Sequence, residues 1–225
     1  DTTPADACSD VRQLDEMVDD HSDRTVSLYV PDDAAPGHMH FIVYSRAEPI
    51  VLSEALEVLE HMGVDIYTER PYEVNLASGE CFWIQDFHLR HESGEAVDID
   101  AVAQRFEDCF MAVQCGDAEN DGLNRLVVSA GLDWRQTALL RCYAKHILQL
   151  GLPFSQAYME DVLVTHAKVA RLLVEKFEIM FDPAVAKSRR SRELKQKNEA
   201  LQTRIAKARN IDEDRILSAF AGGIE

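Results

Sequence analysis

The apolar residues of this chain change period near its middle. In TVSLYV (25–30) and HMHFIVYS (38–45) they alternate and are rich in β-branched and aromatic side chains, the pattern of half-buried strands. PDDAAPG (31–37) between them is turn chemistry. Over 51–63 the period lengthens. Leu52, Ala55, Leu56, Leu59 and Met62 fall on one helical face, and Gly63 stands where a helix ends in a left-handed residue. VDIYTERPYEV (64–74) and ECFWIQDFHLRH (80–91) return to strand patterning about a Ser-Gly turn at 78–79. DIDAVAQRFEDCFMAVQ (98–114) is helical again, with Val102, Phe106, Phe110 and Val113 on one stripe. Ahead of these, residues 1–24 read as a helical or ordered lead-in, with Val11, Leu14 and Val18 at helical spacing.

From Asp117 onward the strand period is gone. Residues 124–130 predict a short apolar helix. Asp133 and Gln136 have the spacing of a capping box, which opens a helix burying Leu139, Leu140, Tyr143, Ile147 and Leu148. In GLPFSQAYMEDVL (151–163), Gly151 ends that helix and Pro153 blocks its continuation. Ser155 caps the next helix, and Phe154 and Met159 have the spacing of a hydrophobic staple. A helix over 167–181 carries Val169, Leu173, Phe177 and Met180 in register and stops at Asp182-Pro183. Residues 188–209 form a polar helix with Leu194, Leu201 and Ile205 as a thin stripe, and Asp212 caps the last helix. The pattern predicts an α+β fold. A lead-in over 1–24 precedes an antiparallel sheet with helices on one face over 25–116, and an all-helical domain fills 117–225.

Charge is uneven. The net value is −17, yet 187–209 holds nine Lys or Arg and two Glu, a local +7, which leaves about −24 for the rest. An acidic body argues against nucleic acid as a partner, because that binding rests on Lys and Arg against phosphates. The run SRRSRELKQK (188–197) lacks aromatic interleaving and reads as a solvated helix face, or one docking on an acidic surface of the same protein. The five Cys (Cys8, Cys81, Cys109, Cys115, Cys142) are odd in number and never spaced C-x-x-C, which reads as reduced thiols of a cytoplasmic protein. No apolar run is long enough for a membrane span, and no signal peptide is visible. The chain starts DTTPADA without Met and stops at AFAGGIE, which predicts a processed chain or an internal piece.

Candidate chemistry is sparse. No G-x-G-x-x-G follows a strand and there is no Walker loop. His38 and His40 share one strand face, while His88 and His91 point to opposite faces. A metal needs further converging ligands, which the sequence does not name, so these read as surface or partly buried histidines. No Ser or Cys has a nucleophile's setting, and Cys109, Cys115 and Cys142 read as small apolar helix residues. Among the acids, Glu119 and Asp121 read as a turn, and Glu160 and Asp161 as acids in the first turns of a helix.

EPIVLSEALEVLEHMGVDI (48–66) resembles the strand–helix–strand core of ACT-type regulatory domains. His61-Met62-Gly63-Val64 matches the end of that helix. Glu48-Pro49-Ile50 keeps the family's loop Pro but lacks its Gly. The usual ACT order ends in a strand that does not appear after Val113; the strand at 25–30 can fill that place from the other end. The resemblance implies an amino-acid effector site near Glu48, Pro49, Ile50 and Gly63.

A wider set resembles large-chain bacterial NAD-specific glutamate dehydrogenase: HMGVDIYTERPYEV (61–74), FWIQDFHL (82–89), the run 118–163, ARLLVEKFEIMFDP (170–183) and DEDRILSAF (212–220). This resemblance implies an internal segment with the last of several ACT-like domains and a helical linker, lying before the catalytic domain. It implies NAD as the cofactor of the parent enzyme, which oxidatively deaminates L-glutamate. The catalytic domain of the same chain and a homo-oligomeric assembly are the implied partners. No catalytic residue, NAD ligand or metal ligand is carried over to this segment. An effector-binding module and a purely structural spacer stand as alternatives.

Overall fold

The computed structural model describes residues 4–31, 33–184 and 186–224, with side chains from residue 8 onward. The chain divides into two units between Cys115 and Gly116.

In the first unit the described elements are α1 (Pro4–Asp20), β1 (Arg24–Tyr29), β2 (His38–Arg46), α2 (Leu52–His61), β3 (Val64–Asn75), β4 (Cys81–His91) and α3 (Ile99–Gln114). The four strands form one antiparallel sheet in the order β1-β2-β4-β3. β1 therefore takes the edge place beside β2, where a final strand after α3 would otherwise pair. Register sets the two faces. Met39, Phe41 and Val43 point one way with Phe87 and Leu89, and all are buried. The Phe41 ring meets Phe106 and Phe110 of α3 edge-on, with centroids 5.4 and 4.8 Å apart.

The opposite face carries His38, His40, Ile42 and Tyr44 beside Phe82, Ile84, Asp86 and His88. The lead-in helix packs on half of it. Leu14 and Met17 of α1 close a core with Ile42, Tyr44, Phe82 and Ile84. The Tyr44 hydroxyl donates to Asp10 at 2.7 Å, and Arg46 donates to the carbonyl of Met17 at 2.8 Å. Helices thus lie on both faces once α1 is counted, while α2 and α3 supply the one-sided cover that the patterning predicts.

Burial corrects several predicted faces. On α2 it is Ala55, Val58 and Leu59 that are buried, with Met62 just beyond, while Leu52 is exposed. The helix is rotated so that its first residue clears the sheet. On α3 Cys109 and Ala112 join Val102, Phe106 and Phe110, and Val113 is only partly buried. Gly63 has φ 82°, a conformation that favours glycine, and turns the chain from α2 into β3.

The second unit runs through a 3-10 turn (Gly122–Arg125), α4 (Leu126–Ala130), α5 (Trp134–Gln149), α6 (Gln156–Thr165), α7 (Ala167–Phe181), α8 (Lys187–Ile205) and α9 (Ile211–Gly223). One cluster joins them, with Leu140, Met159, Leu163, Leu173, Leu201 and Phe220 among its members. Both capping-box bonds are made: Asp133 accepts from the Gln136 N–H at 2.8 Å, and Gln136 accepts from the Asp133 N–H at 3.0 Å. Ser155 caps α6, and Phe154 packs on the core that buries Met159. α9 is capped by Asn210, not Asp212; its side chain accepts from the Glu213 N–H at 2.8 Å. Leu139, Tyr143, Leu148, Phe177 and Met180 line the rim of the cluster rather than its centre. Thr137 and Arg141 take the inner positions of α5. No described helix is long and apolar enough to cross a membrane.

Candidate functional site

The loop Ala47–Val51 joins β2 to α2 and contains Glu48, Pro49 and Ile50. The N–H groups of Ala47, Glu48 and Ile50 are already committed. Ala47 N–H donates to the Cys81 carbonyl at 2.9 Å, and Glu48 N–H donates to the Arg46 carbonyl at 2.8 Å. Pro49 has no N–H. Ile50 N–H donates to Gln85 Oε1 at 2.8 Å, and Gln85 Nε2 donates back to the Ile50 carbonyl at 3.2 Å. The same Nε2 donates to Glu69 Oε1 at 3.2 Å. Gln85 is 3% exposed and Ile50 is 4% exposed, so the exchange is a buried one. Ala47 holds φ 67°, the left-handed region that favours glycine. The tight turn at this point thus exists without the glycine, at some strain.

This strand-to-helix connection lacks the Gly-rich turn that brings backbone amides up to a dinucleotide phosphate. Glu48 and Pro49 are exposed, and Ile50 is turned inward. Gly63 lies beyond the far end of α2, which spans ten residues and is therefore about 15 Å long. Within one chain the four candidate effector residues are split between the two ends of α2.

A second cluster occupies the half of the outer face that α1 leaves uncovered. His38 Nδ1 and His88 Nε2 are 3.0 Å apart, so one ring donates and the other accepts. The His40 and His88 rings stack at 5.1 Å, and Tyr29 stacks on His40 at 5.5 Å. Asp86 Oδ1 lies 2.8 Å from His40 Nδ1. A bulge between Ile66 and Thr68 places two residues of β3 opposite one of β4, and this brings Tyr67 to the group. Its ring is 5.6 Å from His38 and 5.8 Å from His88. Its hydroxyl accepts from Arg90 at 3.2 Å. Burial, then His40 and His38, hold His88 below the ordinary histidine range, with Asp86 opposing. His91 points to the other face, bonds Ser93 at 2.6 Å and is pushed down by burial. Among the described residues, no three His, Cys, Asp or Glu are arranged to hold a metal ion.

The four acids of the second unit are brought together as structural pairs. Asp121 caps the 3-10 turn and takes Arg141 in a two-pronged bond, at 2.6 Å from Nε and 2.8 Å from a terminal nitrogen. Glu119 pairs with Lys145 at 2.6 Å, and Asp161 with Arg125 at 2.6 Å. Glu160 is buried and accepts from Gln156 at 2.8 Å. Glu160 and Asp161 sit in the second turn of α6, so their partners rather than the helix dipole account for them.

Sequence reasoning missed Gln85, Asp86, Tyr67 and Arg141. Gln85 had a signal: it is polar on a strand face otherwise occupied by Phe87 and Leu89, and a buried amide needs partners. Tyr67 had none, because a bulge leaves no periodic trace.

The sheet order, the helix pair on one face and the β2–α2 loop define an ACT-like unit, joined in sequence to a helical one. Residues 23–102 match the family described as glutamate dehydrogenase, ACT3 domain, and residues 118–183 match glutamate dehydrogenase, helical motif 3. The chain is 35% identical over 178 residues to the NAD-specific glutamate dehydrogenase of Halomonas elongata, which covers 79% of this chain and 11% of that protein. It is 35% identical over 199 residues to that of Pseudomonas aeruginosa, covering 87% of this chain and 12% of that protein. Against that of Mycobacterium tuberculosis it is 34% identical over 228 residues, 99% of this chain and 14% of that protein. The chain belongs to the NAD-specific glutamate dehydrogenase family, as a segment spanning 11 to 14% of the length of these curated relatives.

Proposed function

We propose that this chain is a non-catalytic regulatory and assembly segment of a cytoplasmic NAD-dependent glutamate dehydrogenase. In the parent enzyme L-glutamate, NAD and water give 2-oxoglutarate, ammonium and NADH. The ACT-like unit supplies a contact or control surface within a homo-oligomer, and the helical unit leads to the catalytic domain of the same chain. The observation that carries this reading is the co-linear match of an ACT3 domain and helical motif 3 in one chain. The site geometry supports it. The Ala47, Glu48 and Ile50 amides and the acids of the helical unit are satisfied internally, the arrangement of a rigid module rather than of a reacting centre. NAD and its hydride chemistry belong to the catalytic part.

The second reading is an amino-acid effector module, favoured by the exposed Glu48 and Pro49 and the left-handed Gly63. The Gln85 exchange weighs against it, since a ligand carboxylate would have to displace a buried bond. A thermal-shift screen of the twenty amino acids separates the two, because a ligand stabilises by RT ln(1 + [L]/Kd). The assembly reading expects no shift. To test assembly itself, this segment is excised from the parent enzyme, and sedimentation and steady-state kinetics are compared with those of the intact protein. Loss of the native oligomer or of kinetic control is expected. An excised enzyme with unchanged oligomeric state, kcat and KM would overturn the reading.

A further inference from the structure

The cluster on the uncovered half of the sheet has no part in the function proposed above. Its geometry is unusual for a mere surface. Three imidazoles contact one another, with His88 as the hub: it is bonded to His38, stacked on His40 and flanked by Tyr67. The groups that face it come from every strand. β1 offers Tyr29, and β2 offers His38 and His40, with Tyr44 further along and bonded to Asp10. β3 offers Asp65, Tyr67, Thr68 and Arg70, and β4 offers Asp86 and Arg90. Asp86 is taken by His40, and Arg90 by Tyr67. Arg70 stands across from Asp86 and adds positive charge.

We propose that His38, His40 and His88 form a proton-responsive lock on this sheet, which fastens β2, β4 and the Tyr67 bulge of β3 while one of the two facing ring nitrogens of His38 and His88 keeps its lone pair, and loosens the bulge when proton uptake leaves an N–H on both. The reason is the hydrogen bond at its centre. A bond between two imidazoles needs one nitrogen with a lone pair. When both rings carry a proton on the facing nitrogen, N–H meets N–H at 3.0 Å and attraction becomes repulsion. A charge on His88 also lies against the His40 ring and within reach of Arg70. Tyr67 rests on His38 and His88 and sits at an irregular point of an edge strand, so it is the contact that yields. The direction of the His88 shift agrees. Its neutral form is favoured in the fold, so the folded chain binds fewer protons than the unfolded one, and the lock weakens as pH falls below the ordinary histidine value near 6.5.

The test uses the whole 225-residue chain. Ring signals of the histidines are titrated by NMR between pH 5 and 8, and hydrogen exchange over residues 64–70 is measured at pH 5.5 and 7.5, corrected for intrinsic rates. His88 is expected to titrate below the ordinary histidine value near 6.5. Exchange over 64–70 is expected to be severalfold faster at the lower pH. His88→Gln is expected to remove that rise. Where His88→Gln does not fold, His40→Gln decides, since removing His40 should raise the His88 midpoint. The proposal is overturned by a His88 midpoint at or above about 6.5, by equal corrected exchange at the two pH values, by an unchanged rise in His88→Gln, or by an unmoved His88 midpoint in His40→Gln.

Discussion

Ala47 carries a left-handed backbone, and L-residues incur about 1–2 kcal/mol there. Glycine removes that term but adds roughly 0.5–1 kcal/mol of chain entropy on folding. Ala47→Gly should therefore be neutral to stabilising by up to about 1 kcal/mol, read as a higher urea midpoint. A clear loss of stability would show that the Ala47 methyl has a packing role. Gln85 makes the opposite case. Gln85→Ala leaves the Ile50 N–H and carbonyl without their buried partner, so a loss of about 1–3 kcal/mol is expected. A loss under about 0.5 kcal/mol would mean that water replaces the amide, and that the loop is open to ligands after all. Both residues bear on the same question, whether the 47–50 loop has anything left to offer a bound molecule.

Among the elements, α3 holds the edge of the sheet through one acid. Glu107 accepts the Leu28 N–H at 2.7 Å, on the side of β1 that faces away from β2. Burial pushes this carboxyl above the usual range, and the Leu28 N–H only partly offsets it. Between the ordinary Glu value and the raised one, the folded chain holds a proton that the unfolded chain loses. The associated stability is full below the ordinary Glu value and is lost as pH rises through the folded one. Glu107→Gln keeps an acceptor without the charge. It should raise Tm at pH 7 relative to the parent sequence, with the gain shrinking toward pH 4. An equal gain at both pH values would remove the electrostatic explanation. For α9 the cap is the point to test. Asn210→Ala should cost about 1 kcal/mol, and Asp212→Ala much less. The reverse order would restore Asp212 as the cap.

Across the whole chain, what could be read from the sequence is what repeats. Alternation found the four strands, the 3.6-residue period found the helices, and local spacing found the Asp133–Gln136 box and the Ser155 cap. What could not be read depends on pairing. The rotation of α2 that exposes Leu52 and buries Val58, the Tyr67 bulge and the Arg141–Asp121 bond all join residues whose relation is set only when strands and helices meet. The candidate site was legible as a loop and not as a loop already filled, because the filler, Gln85, comes from 35 residues away. Two units meeting at Cys115–Gly116 also imply two folding units. Chains cut there should each unfold cooperatively in urea, and failure of both to fold would show that they depend on each other.

The central claim is that this segment serves a glutamate dehydrogenase without doing its chemistry. The most direct measurement is NADH formation, followed by its absorbance, with saturating L-glutamate and NAD and the purified 225-residue chain as the only protein. The account predicts a rate equal to the protein-free background. Glutamate-dependent turnover above that background, co-eluting with the chain and abolished by omitting NAD, would contradict it.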